Sequence, residues 1–112
     1  MKKYFSYCVI FFLTSVPVMA QQAYIDSFRI KANSTTNDTI QLILLRNIAR
    51  SYSELNPDSS FYYAEKALRL SRKLGLKLDE GSALREMGYA LLNRANYPRS
   101  LQTLLMSMEM TN

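Results

Sequence analysis

The chain of 112 residues contains no histidine and only one cysteine, and it has three glycines and three prolines. Each scarcity excludes something. Without histidine the commonest general base and the commonest metal ligand are missing. Cys8, the lone cysteine, has no partner for a disulfide within the chain. Three scattered glycines build no phosphate-cradling loop. Carboxylates occur singly, apart from Asp79-Glu80, where the start of a helix explains them. Serines are frequent, yet none has a recognisable activating base. These absences argue against catalysis and imply neither cofactor nor metal. No stretch shows the sustained alternation of a half-buried strand.

The first residues differ in kind from the rest. Lys2 and Lys3 precede an apolar stretch from Tyr7 to Leu13, which continues weakly to Val18. Val18-Met19-Ala20 then places small residues at the −3 and −1 positions of a cleavage site. Residues 1–20 have the layout of a secretory signal peptide, and Thr14, Ser15 and Pro17 interrupt them too soon for a good membrane span. The expectation is an exported, periplasmic or extracytoplasmic protein with no direct membrane role after cleavage. Fourteen Lys and Arg stand against nine Asp and Glu. Two of the fourteen, Lys2 and Lys3, belong to the leader, so the remainder is only weakly basic. That balance and export both disfavour nucleic acid as a partner.

Residues 21–37 read as a short helix, about 23–31, followed by the polar run ANSTTND. Two related stretches fill residues 38–112, about 40 residues apart. The first is LLRNIARSYSELNPDSSFYYAEKALRLS and the second is LREMGYALLNRANYPRSLQTLLMSMEM. Ala49 answers to Gly88, and Ala67-Leu68 to Ser107-Met108. The turns Asn56-Pro57 and Asn96-Tyr97-Pro98 also correspond, with the first one residue shorter.

Local signals divide each copy into two helices. Asp38 reads as an N-cap with Gln41 completing a capping box. A helix over about 39–54 carries the stripe Leu44, Leu45, Ile48, Ala49, Tyr52 and Leu55. Asn56 caps the next helix and Pro57 fits its first position. That helix covers about 57–74, with Ser60, Phe61, Ala64, Ala67, Leu68, Ser71 and Leu74 inward. Gly75 suits a left-handed stop. A third helix, about 79–94, has the stripe Leu84, Met87, Gly88, Leu91 and Ala95. Mid-helix glycine costs about 1 kcal/mol relative to alanine, so Gly88 predicts a helix that approaches too closely for a β-carbon. A fourth helix, from about 97 onward, presents Leu101, Leu104, Leu105 and Met108 to the core.

The second copy resembles a tetratricopeptide repeat at Leu84, Met87, Gly88, Leu91, Tyr97, Ser100, Leu104 and Ser107. Gly88 and Tyr97 match the signature directly. Ser100 and Ser107 replace its usual alanines, and Leu84 and Leu91 its usual aromatics. The first copy matches at Leu45, Ile48, Ala49, Tyr52, Ser60, Ala64, Ala67 and Leu68. The layout is also similar to the exported N-terminal region of repeat-containing sensor and regulator proteins of the Bacteroidetes group. The resemblance implies an all-α fold of helical hairpins in a short right-handed solenoid, with the residues just named packing the repeats together. It implies a non-catalytic scaffold that binds protein or peptide, as the sensory part of a signalling protein.

Carried over by position, the ligand groove holds Arg46, Arg50, Arg85, Tyr89 and Asn93. Three guanidinium groups on one face suit an acidic peptide, because the planar fork pairs with both carboxylate oxygens. The lysine and asparagine set of the family's carboxylate clamp is missing. Lys66, Arg69 and Lys73 share one side of the second helix, a solvated face or a contact for anionic lipid or a partner. The last helix, residues 97–110, ends rich in Leu and Met without a polar cap. The alternative expectation is therefore self-association through that helix.

Overall fold

The computed structural model describes residues 19–111, and the expected signal peptide, residues 1–20, lies outside them except for residues 19 and 20. The described residues contain five α-helices and no strand: α1 at residues 19–34, α2 at Asp38–Tyr52, α3 at Pro57–Leu74, α4 at Lys77–Asn93 and α5 at Tyr97–Thr111. They pack in chain order, each on its predecessor. Among α2 to α5 the one non-sequential contact is between α2 and α4, so the array advances by hairpins.

Helix α1 is longer than the short helix expected, and the polar run shrinks to residues 35–37. Ile25 and Ala32 explain the extension, because both are buried against Leu44 and Ile48 of α2. The cap of α2 is Asn37, one residue before the expected Asp38. Its side chain accepts from the Ile40 amide at 3.0 Å. Gln41 makes no capping box and instead donates to the Ala32 carbonyl of α1 at 3.5 Å. Asp38 sits in the first turn, where its charge favours the helix dipole.

Helix α3 begins and ends where its punctuation predicts. Asn56 accepts from the Ser59 amide, Pro57 opens the helix, and Gly75 has φ +70°. Leu76 N–H bonds back to Ser71 O and Gly75 N–H to Arg72 O, a Schellman closure. Leu76 packs against the core beyond it, so α4 starts at Lys77, two residues before the expected start.

The first turn spans residues 53–56 and the second 94–96, so the first is one residue longer and not shorter as expected, because α4 runs further past Gly88 than α2 does past Ala49. After α2 the chain stays right-handed at Ser53. After α4, Asn96 N–H reaches Leu91 O and Ala95 N–H reaches Leu92 O, with Ala95 at φ +60°. This is a second Schellman closure, here with a residue that carries a β-carbon. Ala95 is thus exposed in the turn and not part of the α4 stripe. A left-handed alanine costs about 1–2 kcal/mol, part of which glycine returns as lost chain entropy. Ala95→Gly is expected to stabilise the protein by about 0.5–1 kcal/mol. A thermal melt followed by circular dichroism checks this; an unchanged or lower Tm refutes it.

The hairpins close on small residues. Ser60 Oγ donates to Ala49 O at 2.6 Å between α2 and α3, and Ser100 Oγ donates to Gly88 O at 2.8 Å between α4 and α5. One bond is the repeat of the other. Seven residues away on both helices, Ser107 Oγ donates to Gly81 O at 2.6 Å. Antiparallel helices meet side by side at such a spacing. A β-carbon on Gly88 would lie 2.5 Å from Leu104 Cδ2 and 2.6 Å from Leu104 Cγ. The close approach predicted at Gly88 is therefore present. Ile48, Ala49, Ala64, Ala67, Leu68, Leu84, Gly88 and Leu91 are all buried, Met87 and Leu104 are half-buried, and Tyr52 stacks on Tyr63 at 6.0 Å.

Five further positions expected to pack inward are exposed. Leu55 is 43% exposed in the turn after α2, and Tyr97 is 61% exposed at the start of α5. On α5 itself, Leu101, Leu105 and Met108 face out, while Ser100, Thr103 and Ser107 face α4. Gly81 and Gly88 bring α4 and α5 close, and α5 meets them with Ser100 and Ser107 and with the larger Leu104 and Met110.

Candidate functional site

Two surfaces bear on binding: the α2–α4 face, where the sequence places the ligand groove, and the outer face of α5. On the first, α2 and α4 lie side by side and bring Arg46, Arg50, Arg85, Tyr89 and Asn93 onto the junction between hairpins. Most of them are engaged there. Arg46 Nη1 is 3.1 Å from Asp79 Oδ1, with only 19% of the arginine side chain exposed. Arg50 donates through Nε and Nη2 to Glu86 Oε1, each at 3.4 Å. Arg85 Nη2 lies 3.9 Å from the same oxygen. Asn93 Nδ2 donates to Ser53 O at 2.6 Å. Tyr89 remains 43% exposed.

Glu86 is the residue that sequence reasoning missed. Its side chain is 4% exposed, beside two cations that reach it from α2 and α4. A buried carboxylate is costly without a partner, so Arg50 and Arg85 serve it. The signal was present: Glu86 falls between Ala83 and Ala90, both buried, on the apolar side of α4. The acidic pair at the start of α4 has a similar role. Asp79 holds Arg46, and Glu80 accepts from Arg72 Nε at 2.9 Å, so these carboxylates join neighbouring helices as well as facing the dipole.

The same junction has an outer rim. Arg94 Nε pairs with Asp58 at 3.0 Å, and the guanidinium groups of Arg94 and Arg99 lie 5.9 and 5.3 Å from the centre of the Phe61 ring. Each such contact is weak where it is exposed. Together they link the start of α3 to the end of α4 and the first turn of α5. What remains on the α2–α4 face for a ligand is Tyr89 and the solvated flanks of Arg50 and Arg85, 56% and 45% exposed.

The second surface is apolar. Leu101, Leu105 and Met108 recur at four and three residues along α5 and are 61%, 51% and 59% exposed. Repeat correspondence gives this row its meaning. Met108 stands where Leu68 stands on α3. Leu68 is 5% exposed, in one cluster with Ala83 and Leu84 of α4. Among the described residues α5 packs on α4 and has no following helix on its other side.

Among the described residues no cluster of three His, Cys, Asp or Glu side chains is placed to hold a metal ion, and no helix is long and apolar enough to cross a membrane. Comparison with protein-family models, curated proteins and solved structures gives no match to this chain.

Proposed function

We propose that this chain is a non-catalytic scaffold of an exported protein, built from tetratricopeptide-like hairpins in a right-handed array, and that it binds an amphipathic helix of another protein on the outer face of α5. The observation that supports this most is the row Leu101, Leu105 and Met108, exposed on α5, of which Met108 stands where Leu68 of α3 is covered by α4. An apolar row of this kind marks a surface that gains by being covered. A helix of the α4 type is its natural occupant, because α4 fills the corresponding place one repeat earlier. A role as the sensory part of a signalling protein follows from the same reading: occupancy of α5 becomes the signal.

A labelled peptide with the α4 sequence, KLDEGSALREMGYALLN, tests the surface. Saturable binding to the full chain is expected, weakened at least tenfold by Leu101→Glu together with Leu105→Glu. A chain that stays monomeric in light scattering and binds no such peptide contradicts the reading. The second reading is self-association through α5, favoured by the fact that the row is apolar along its length and can face its own copy. A dimer in light scattering that the same two substitutions dissolve selects it.

A further inference from the structure

A cleft of about 760 Å³ opens between α1 and α3, over α2, away from both surfaces just described. Lys66, Arg69 and Lys73 line one side, and Arg29 of α1 lines the other. Half-buried Leu70 and the Tyr62 and Tyr63 rings contribute an apolar floor, with Leu45 and Ile48 buried beneath it. No carboxylate lines the cleft among the described residues. The sequence showed the three cations of α3 on one side of that helix; only the fold sets Arg29 against them.

The cations are held but not spent. Arg69 meets Glu65 at 3.2 Å with 67% and 43% of the side chains exposed, and Arg29 meets Asp26 at 3.5 Å with 47% and 51% exposed. Pairs this exposed contribute little and exchange readily for another carboxylate. Lys66 Nζ stands 4.9 Å from the centre of the Tyr62 ring. Tyr62 meets Tyr63 edge-on at 5.2 Å, and Tyr63 stacks on Tyr52 at 6.0 Å, so the tyrosine wall is braced from behind.

We infer that this cleft is a second binding site, for an acidic peptide segment that carries at least one apolar side chain. Four cations around an apolar floor complement carboxylates flanking a hydrophobic residue. The volume lies within the roughly 300–1,000 Å³ of ordinary ligand sites. A flat anionic membrane is a poorer match, since a bilayer meets cations on a protruding face and these line a recess. The site is independent of the α5 row, so the two stand or fall separately.

The test uses the full chain and a fluorescein-labelled octapeptide of Glu, Leu and Tyr, with its Gln-for-Glu analogue as control. Anisotropy is expected to show saturable binding of the acidic peptide that weakens as salt is raised, and none of the analogue. Lys66→Glu with Lys73→Glu is expected to weaken it at least tenfold, while Leu101→Glu with Leu105→Glu leaves it unchanged. Should circular dichroism show the charge-reversed chain unfolded, Lys73→Gln decides by a threefold or greater loss. No binding of the acidic peptide, equal binding of the analogue, or binding indifferent to the cleft substitutions overturns the inference. So does a chain that sediments with phosphatidylglycerol vesicles but ignores the peptide.

Discussion

Gly88→Leu is expected to destabilise the protein by about 3 kcal/mol or more, the upper range of overpacking in a well-filled contact. In a domain of this size that lowers Tm by about 12–24 °C. Even the β-carbon alone has no place, at 2.5 and 2.6 Å from two atoms of Leu104. One of these is Cγ, the branch point of the side chain, so rotating a terminal methyl does not relieve the contact. Gly88→Ala separates the opposing effects. Alanine gains about 1 kcal/mol of helix propensity. Pushing Leu104 and α5 outward costs about 1–3 kcal/mol, so the net change is a loss. Leu104→Ala in the Gly88→Ala background is expected to recover stability, and a double-mutant cycle measured by urea unfolding reads the coupling. Additive losses, or a Gly88→Ala chain more stable than the parent, would show that α4 and α5 do not touch at this point.

The second large effect concerns the α2–α4 junction. Arg50→Ala together with Arg85→Ala is expected to cost about 3 kcal/mol, because Glu86 then keeps a buried charge with neither cation beside it. The arginines are about half exposed, so their removal buries nothing new; the cost resides in the carboxylate left behind. Either single substitution is expected to cost about 1 kcal/mol, since the other guanidinium remains. Adding Glu86→Leu to the double variant is expected to restore most of the loss, as replacing a buried ion pair by apolar side chains often does. Unfolding in urea at pH 7 gives all four values. A double variant as stable as the parent would assign the arginines to solvent and reopen the α2–α4 face as the main ligand groove.

These two predictions touch the positions where sequence and structure relate most differently. Gly88 could be read from its sequence position, because a glycine inside a periodic stripe has few causes other than a close neighbour. The ends of α3 were equally plain, since Asn56, Pro57 and Gly75 act on backbone within a few residues. Arg46, Arg50 and Arg85 were another matter. Their spacing showed a cationic face, but Asp79 and Glu86 lie 33 and 36 residues from Arg46 and Arg50. Local periodicity contains nothing about which carboxylate the stacking of the next hairpin will deliver. Helix α5 misled in a further way. Its leucine and methionine row is the stronger apolar signal, yet the buried residues of α5 are Ser100, Thr103 and Ser107, with Leu104 and Met110 half-buried beside them. Where glycines bring two axes together, small residues take the closest positions, and a larger side chain such as Leu104 packs over the glycine itself.

The amino-acid sequence by itself determined the five helices of the described residues, the repeat, the hairpin turns and the glycine contact. Each depends on interactions within one helix or across one short turn. Tertiary structure alone decided which charges are spent inside the protein and which remain outside. It turned the arginines of α2 and α4 into the support of a buried glutamate. It set Arg29 opposite Lys66, Arg69 and Lys73, and it turned the apolar row of α5 away from the other described helices. Those outcomes follow from the angle and offset at which one hairpin stacks on the next, and many distant side chains set these jointly.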